Sequence, residues 1–209
     1  MSSYVRKAFD DGPEGKSDKS VVLIGNGSSV LQDRLGEWID GHEVVARCNL
    51  FQIRGYEEHV GTRTTHWFCN RDASPPLIKS MLSRHPCNHI YVHTWGKTEQ
   101  AAQSFRDELN RLGRCTEVLA VPKAWMDEMN AFLCRDYRMF STGAIAVWAL
   151  LKEFAVVNLV GFDWWHFPDR HHYCDGQTFN YKTNQGHQPL LEREFFSKLV
   201  ATARLRIEF

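Results

Sequence analysis

The stretch "QGHQPLLEREF" at residues 185–195 places a histidine, His187, five positions before a glutamate, Glu192. Pro189 suits the first position of a helix, where its missing amide hydrogen costs nothing and its φ is preset. Gln188 is then the cap, His187 the residue before it and Glu192 the fourth helical residue, the two places whose side chains meet in a hydrophobic staple. A carboxyl group touching an imidazole there is either an ion pair closing a surface helix or a general base held in one tautomer by its orienting acid. These residues alone leave both readings open.

Three further places carry groups able to do chemistry. In "VVLIGNGSS" an apolar run ends in Gly25, Asn26 and Gly27, where the backbone can turn sharply, approach a ligand and aim the following amides at an anion. The dinucleotide fingerprint needs glycine at position 30, which is Val30, so a tight structural turn explains the loop equally well. Asn49 ends a predicted strand in "RCN", and "STG" at Ser141, Thr142 and Gly143 opens a predicted helix with a serine cap. His166, His171, His172, Cys174 and Asp175 gather donors that a zinc ion accepts. No DxD triplet accompanies them, and Asp163 in "FDWWHF" reads as an orienting group rather than a ligand. Trp164, Trp165 and Phe167 beside it serve either the core or stacking on a sugar ring. Trp38, Trp125 and Trp148 lie in helical patterns and read as core.

The elements that must position these groups follow from periodicity. Strand candidates are "VVLIG", "HEVVARCN", "TTHWFCN", "HIYVHTW", "TEVLAVP" and "VVNLVGF". A short helical stretch is predicted from about Ser29 to Trp38, and longer helices at "TEQAAQSFRDELNRLG", "KAWMDEMNAFLCR", "STGAIAVWALLKEF" and "QPLLEREFFSKLVATARL". This alternation predicts a single-domain, Rossmann-like α/β/α sandwich with a mostly parallel sheet, and ligands at the carboxyl ends of its strands. Residues 1–19 are polar and aperiodic and read as an arm, with the folded domain over 20–209.

At 209 residues the chain holds one well-buried domain. Lys plus Arg and Asp plus Glu are both 25, so no net field favours nucleic acid or an acidic membrane. No apolar stretch reaches the roughly 20 residues of a membrane span, and no hydrophobic signal run opens the sequence. The six cysteines are scattered without a CxxC pair and read as free thiols of a cytoplasmic protein, a piece of a longer protein being the other reading.

Taken together, "VVLIGNGSSVLQDRLGEWIDGHEVVARCNLFQIRGYEEHVGTRTTHWF" resembles the large sialyl motif of the sialyltransferases, glycosyltransferase family 29. "STGAIAVWALLKEFAVVNLVGF" is similar to the small motif, "HHYCD" to the third and "HQPLLE" to the very short one, in family order. Two departures stand out: Ser20 and Phe154 occupy the places where secretory members carry a disulfide, and Cys174 replaces the aromatic that usually follows the third-motif tyrosine.

The resemblance implies a GT-A-like variant of the fold and an inverting transfer of a sialic acid from a cytidine monophosphate (CMP) donor to a hydroxyl of a glycan or glycolipid. It implies His187 as general base, supported by Glu192, and His172 as the group stabilising the leaving phosphate, followed by Tyr173. Gly25, Asn26, Gly27, Asn49, Ser141, Thr142, Gly143 and Tyr173 would bind the nucleotide. It implies no metal or other cofactor, while the balanced charge predicts no nucleic-acid partner and the hydropathy no transmembrane segment, with peripheral membrane contact left open. A transferase using CMP-Kdo, a cytidine-nucleotide-binding module without catalysis, and a Rossmann oxidoreductase are the competing functions.

Overall fold

The computed structural model describes residues 15–70, 75–94, 97–136, 140–163, 172–174 and 188–208. Seven strands form one sheet: β1 (Val21–Ile24), β2 (Val44–Cys48), β3 (His66–Cys69), β4 (His89–Val92), β5 (Glu117–Ala120), β6 (Val157–Val160) and β7 (Leu205–Ile207). Their order is β5-β4-β3-β2-β1-β6-β7 and every pairing is parallel. The chain winds outward from β1 to one edge, then returns to the other side of β1 with β6. That reversal makes a switch point between β1 and β6, the crevice where open parallel sheets take their ligands.

The helices are α1 (Gly36–Asp40), α2 (Glu57–Val60), α3 (Pro75–Arg84), α4 (Thr98–Arg111), α5 (Lys123–Leu133), α6 (Thr142–Glu153) and α7 (Pro189–Val200). Successive strand residues point to opposite faces, and both faces are dry. Val21, Leu23, Val44, Ala46 and Phe68 pack under α5, α6 and α7. Val22, Ile24, Val45 and Trp67 pack under α1 to α4. The result is the α/β/α sandwich expected. Helix α6 is buried over most of its circumference, from Thr142 to Leu151, which explains an apolar sequence with little amphipathic contrast.

Several details differ from the sequence reading. The stretch expected to be one helix from Ser29 to Trp38 is a 3-10 turn, Ser28–Leu31, followed by α1. Helix α3 was not anticipated. The last helix ends at Val200, well before Leu205: Ala203 takes a left-handed φ of 59°, and the chain turns into the edge strand β7. Trp38, expected in the core, is 39% exposed, whereas Trp148 is buried with its indole N–H donating to Glu128 at 3.0 Å. Ser17, within the stretch read as an arm, forms a parallel bridge to Phe154, and Lys16 donates to the Leu151 carbonyl at 2.8 Å. All six cysteines are free thiols.

Candidate active site

The carboxyl edge of the sheet gathers most of the described residues that the sequence singled out. Beyond β1, Gly25 N–H donates to Val160 O at 2.8 Å and Gly27 N–H to Gly161 O at 2.9 Å, so the glycine loop is laid against the end of β6. The glycines are there for space. A Cβ on Gly25 would stand 2.4 Å from Gly161 O, and one on Gly27 2.2 Å from Asp163 Oδ1. Asp163 accepts from the Ser29 amide at 3.2 Å and so holds the 3-10 turn after the loop. Burial raises its pKa, opposed by the hydrogen bonds from Ser29 and Ser28. It orients the loop, as its place at a strand end suggested.

Asn26 reaches across to the end of β2, its side-chain amide donating to Cys48 O at 3.1 Å and Leu50 O at 3.0 Å. Both amide hydrogens are used there, so its oxygen, an acceptor, is what Asn26 can offer a ligand. Between those carbonyls stands Asn49, turned into the left-handed region at φ 52°, which asparagine tolerates better than most residues. Its backbone oxygen accepts the Trp67 indole N–H at 2.7 Å. Its side-chain oxygen accepts from the Asn70 amide at 3.2 Å and from the Thr142 hydroxyl at 3.1 Å.

Thr142 belongs to the start of α6. Ser141 caps that helix with φ −62° and ψ 160°, its hydroxyl accepting from the Ala144 amide at 3.2 Å. The first-turn amides and the positive end of the helix dipole lie beside Asn49. Gly143 is required by packing, since a Cβ there would come within 2.7 Å of the Phe162 ring.

Glu192, on the first turn of α7, is 2% exposed, and its carboxyl group accepts from the Ser141 backbone amide at 2.5 Å. The two helix starts are thereby tied together. Burial pushes the Glu192 pKa up to about 7, against the lowering effect of its Ser141 hydrogen bonds. Gln188 is the cap of α7 as expected, without a side-chain cap bond. His187, the expected general base, lies outside the described residues, as do His166, His171, Asp175, Trp164, Trp165 and Phe167.

The third motif enters through Tyr173, 1% exposed, whose amide donates to Asn26 O at 2.9 Å. Its hydroxyl donates to the Gln52 carbonyl and accepts from the Gln52 amide at 3.2 Å, and its ring meets Tyr56 edge-on at 5.1 Å. Tyr173, expected among the nucleotide-binding groups, is thus occupied in pegging its segment to the loop after β2. His172 precedes Tyr173 in the chain. Among the described residues no group of three or more His, Cys, Asp or Glu side chains is placed to hold a metal ion.

One residue of this edge was missed. His93, one position beyond β4, is 5% exposed, and its Nε2 lies 3.0 Å from the Thr142 hydroxyl. Its position at the end of the predicted strand "HIYVHTW" is the same signal that drew attention to Asn49.

Residues 6–82 match glycosyltransferase family 29 (sialyltransferase), a stretch that includes Gly25, Asn26, Gly27 and Asn49. A CMP-N-acetylneuraminate-beta-galactosamide-alpha-2,3-sialyltransferase of Gallus gallus is 38% identical over 65 residues, which is 31% of this chain and 19% of the relative. A beta-1,6-galactosyltransferase of Arabidopsis thaliana is 30% identical over 79 residues, 38% of this chain and 18% of the relative. The matched stretches therefore span less than one fifth of either relative's length. A mammalian sialyltransferase solved with Gal-beta-1-3GalNAc-ortho-nitrophenol superposes with a TM-score of 0.62 at 19% identity, covering 98% of this chain and 78% of that one. The family match is confined to the first part of the chain, and over nearly its whole length the sandwich shares the fold of that solved sialyltransferase.

Proposed function

We propose that this chain is an inverting glycosyltransferase that moves a sialic acid from a CMP-activated donor to a hydroxyl of a glycan. The observation that carries the reading is the meeting of Asn26, Asn49 and the start of α6 at the carboxyl edge beside the β1/β6 switch point. There an acceptor oxygen from Asn26, amide donors from Asn49 and the first-turn amides of α6 suit a sugar nucleotide with a single phosphate. The name of the Gallus gallus relative supports the donor.

In the proposed reaction the acceptor oxygen attacks the anomeric carbon as the bond from that carbon to the phosphate oxygen breaks. His187 takes the hydroxyl proton, and CMP leaves with its charge stabilised by a hydrogen bond from His172 and by the α6 amides. Glu192 is a positioning residue that locks the start of α7, just after His187, to Ser141. Among the described residues the donors at this edge are amides, hydroxyls and imidazoles, a set in keeping with transfer without a metal or other cofactor. The proposed setting is a reducing, cytoplasmic one, in keeping with the six free thiols.

The Arabidopsis relative, a galactosyltransferase by name, makes the donor the point to test. The protein is incubated with CMP-sialic acid, CMP-Kdo or a nucleotide-activated galactose, with and without β-galactoside acceptors, and nucleotide release is followed. Acceptor-dependent release of CMP from CMP-sialic acid is expected. Release only from CMP-Kdo or only from the galactose donor replaces the donor assignment, and CMP binding without turnover of any donor leaves a nucleotide-binding module.

A further inference from the structure

The carboxyl ends of three strands and the amino end of one helix are joined by a single line of hydrogen bonds. It runs from His93, beyond β4, through Thr142 of α6 to Asn49, beyond β2, and closes on the Asn70 amide, beyond β3. The direction of every bond in this line is determined. Asn70 N–H can only donate, so the Asn49 atom facing it is the amide oxygen. The same oxygen receives the Thr142 hydroxyl hydrogen. With its one hydrogen given to Asn49, Thr142 can only accept from His93, which must carry its proton on Nε2. Burial supports that neutral tautomer, holding the His93 pKa down at about 4.

The structure assigns His93 as a positioning residue for nucleotide binding: through Thr142 it fixes the side-chain amide of Asn49 so that its NH2 group is presented as two donors to the ligand crevice. The assignment rests on the reading of Asn49 as a nucleotide-holding group. Asparagine amides flip at little cost when nothing distinguishes oxygen from nitrogen. Here two donors converge on the oxygen, and the second of them is polarised by His93. The effect on the ligand is one of orientation, since His93 itself is buried behind Thr142.

The test measures CMP affinity by calorimetry for the full chain and a set of single and double variants. His93→Leu, which keeps the apolar bulk and removes the donor, is expected to weaken CMP binding about tenfold, or about 1.4 kcal/mol. Thr142→Val, nearly isosteric, breaks the line at its middle and should give a loss of the same size. His93→Gln restores an N–H donor and should bind within about threefold of the parent. Asn49→Ala removes the group being oriented, so adding His93→Leu to it should change affinity less than about twofold, a strongly non-additive cycle.

Additive losses in the double variant, or an unchanged CMP affinity in both His93→Leu and Thr142→Val with only a lower melting temperature, overturn the assignment and leave His93 a packing residue. If His93→Leu does not fold, Thr142→Val and its cycle with Asn49→Ala decide alone. A parent protein that binds no CMP overturns the functional reading and this inference with it. Parental binding combined with additivity overturns only the inference.

Discussion

Glu192 is the carboxyl group whose environment makes the most specific demand. It is 2% exposed, and burial favours its neutral form strongly enough to outweigh the opposing Ser141 hydrogen bonds, so its pKa rises from 4.5 to about 7. A folded-state pKa above the unfolded one means that the native state binds the proton more tightly. The stabilisation is complete below about pH 4.5 and is lost as pH rises through about 7. At about 1.4 kcal/mol for each tenfold change in proton affinity, a rise from 4.5 to about 7 corresponds to about 3 kcal/mol.

Glu192→Gln keeps an oxygen to accept from Ser141 and cannot ionise. Its stability relative to the parent should therefore improve by about 3 kcal/mol between pH 4.5 and pH 8, most of it between 5 and 7. In a chain of this size that is a change of roughly 6–12 °C in the difference between melting temperatures. Urea unfolding of both proteins at pH 4.5, 5.5, 6.5, 7.5 and 8, with equal slopes, reads it directly. A difference independent of pH refutes the reasoning. The opposite slope, with glutamine costing most near neutrality, would show an ionised Glu192 paired with a cation, the imidazolium of His187 being the candidate that the sequence supplies.

Three further outcomes are expected. His187→Ala should lower transfer by about two to four orders of magnitude with CMP affinity nearly intact, since a base acts on the acceptor hydroxyl rather than on the nucleotide; steady-state rates and calorimetry separate the two. CMP should bind equally well in excess chelator, and binding that vanishes there and returns with magnesium or manganese would contradict the metal-free proposal. Gly27→Ala should destabilise the fold by about 1–3 kcal/mol in thermal unfolding, because its Cβ would stand 2.2 Å from Asp163 Oδ1 and displace the carboxylate from Ser29.

The sequence carried the sheet because each central strand is buried on both faces, and an uninterrupted apolar run such as "VVLI" admits few other states in a chain that alternates with helices. It did not carry β7. That strand has three residues, one of them the exposed Arg206, and it exists because the fold of Ala203 into a left-handed conformation delivers Leu205 to the edge of β6. Such a strand is made by tertiary pairing rather than by its own pattern. Trp38 was misread for a related reason: helix α1 has only five residues, too short for spacing to say which side faces the core.

At the site, Asn26, Asn49 and the "STG" helix start stood out because each ends or opens an element, and Gly25 and Gly27 because they follow a strand. The His93–Thr142–Asn49 line was not legible, since it depends on the order β4-β3-β2 and on α6 crossing their ends, and no local pattern states that order.

The electrostatics of this edge follow from the way those groups are paired. Among the described residues, the side chains there include carboxamides, hydroxyls, the Asp163 carboxyl group, a histidine kept neutral by burial and a glutamic acid whose pKa burial pushes up to about 7. Among the described residues, a phosphate entering beside the start of α6 would be met by oriented dipoles. Dipoles of this kind are held in place by the fold and need little rearrangement as charge develops on a leaving group. An ionised Glu192 carboxylate would satisfy the helix dipole itself and repel the phosphate, whereas the neutral acid accepts the Ser141 hydrogen bond and leaves the remaining first-turn amides to the substrate. The chain's zero net charge is thus compatible with an anionic donor: attraction is built locally, from backbone and amide groups whose directions the hydrogen-bond line fixes.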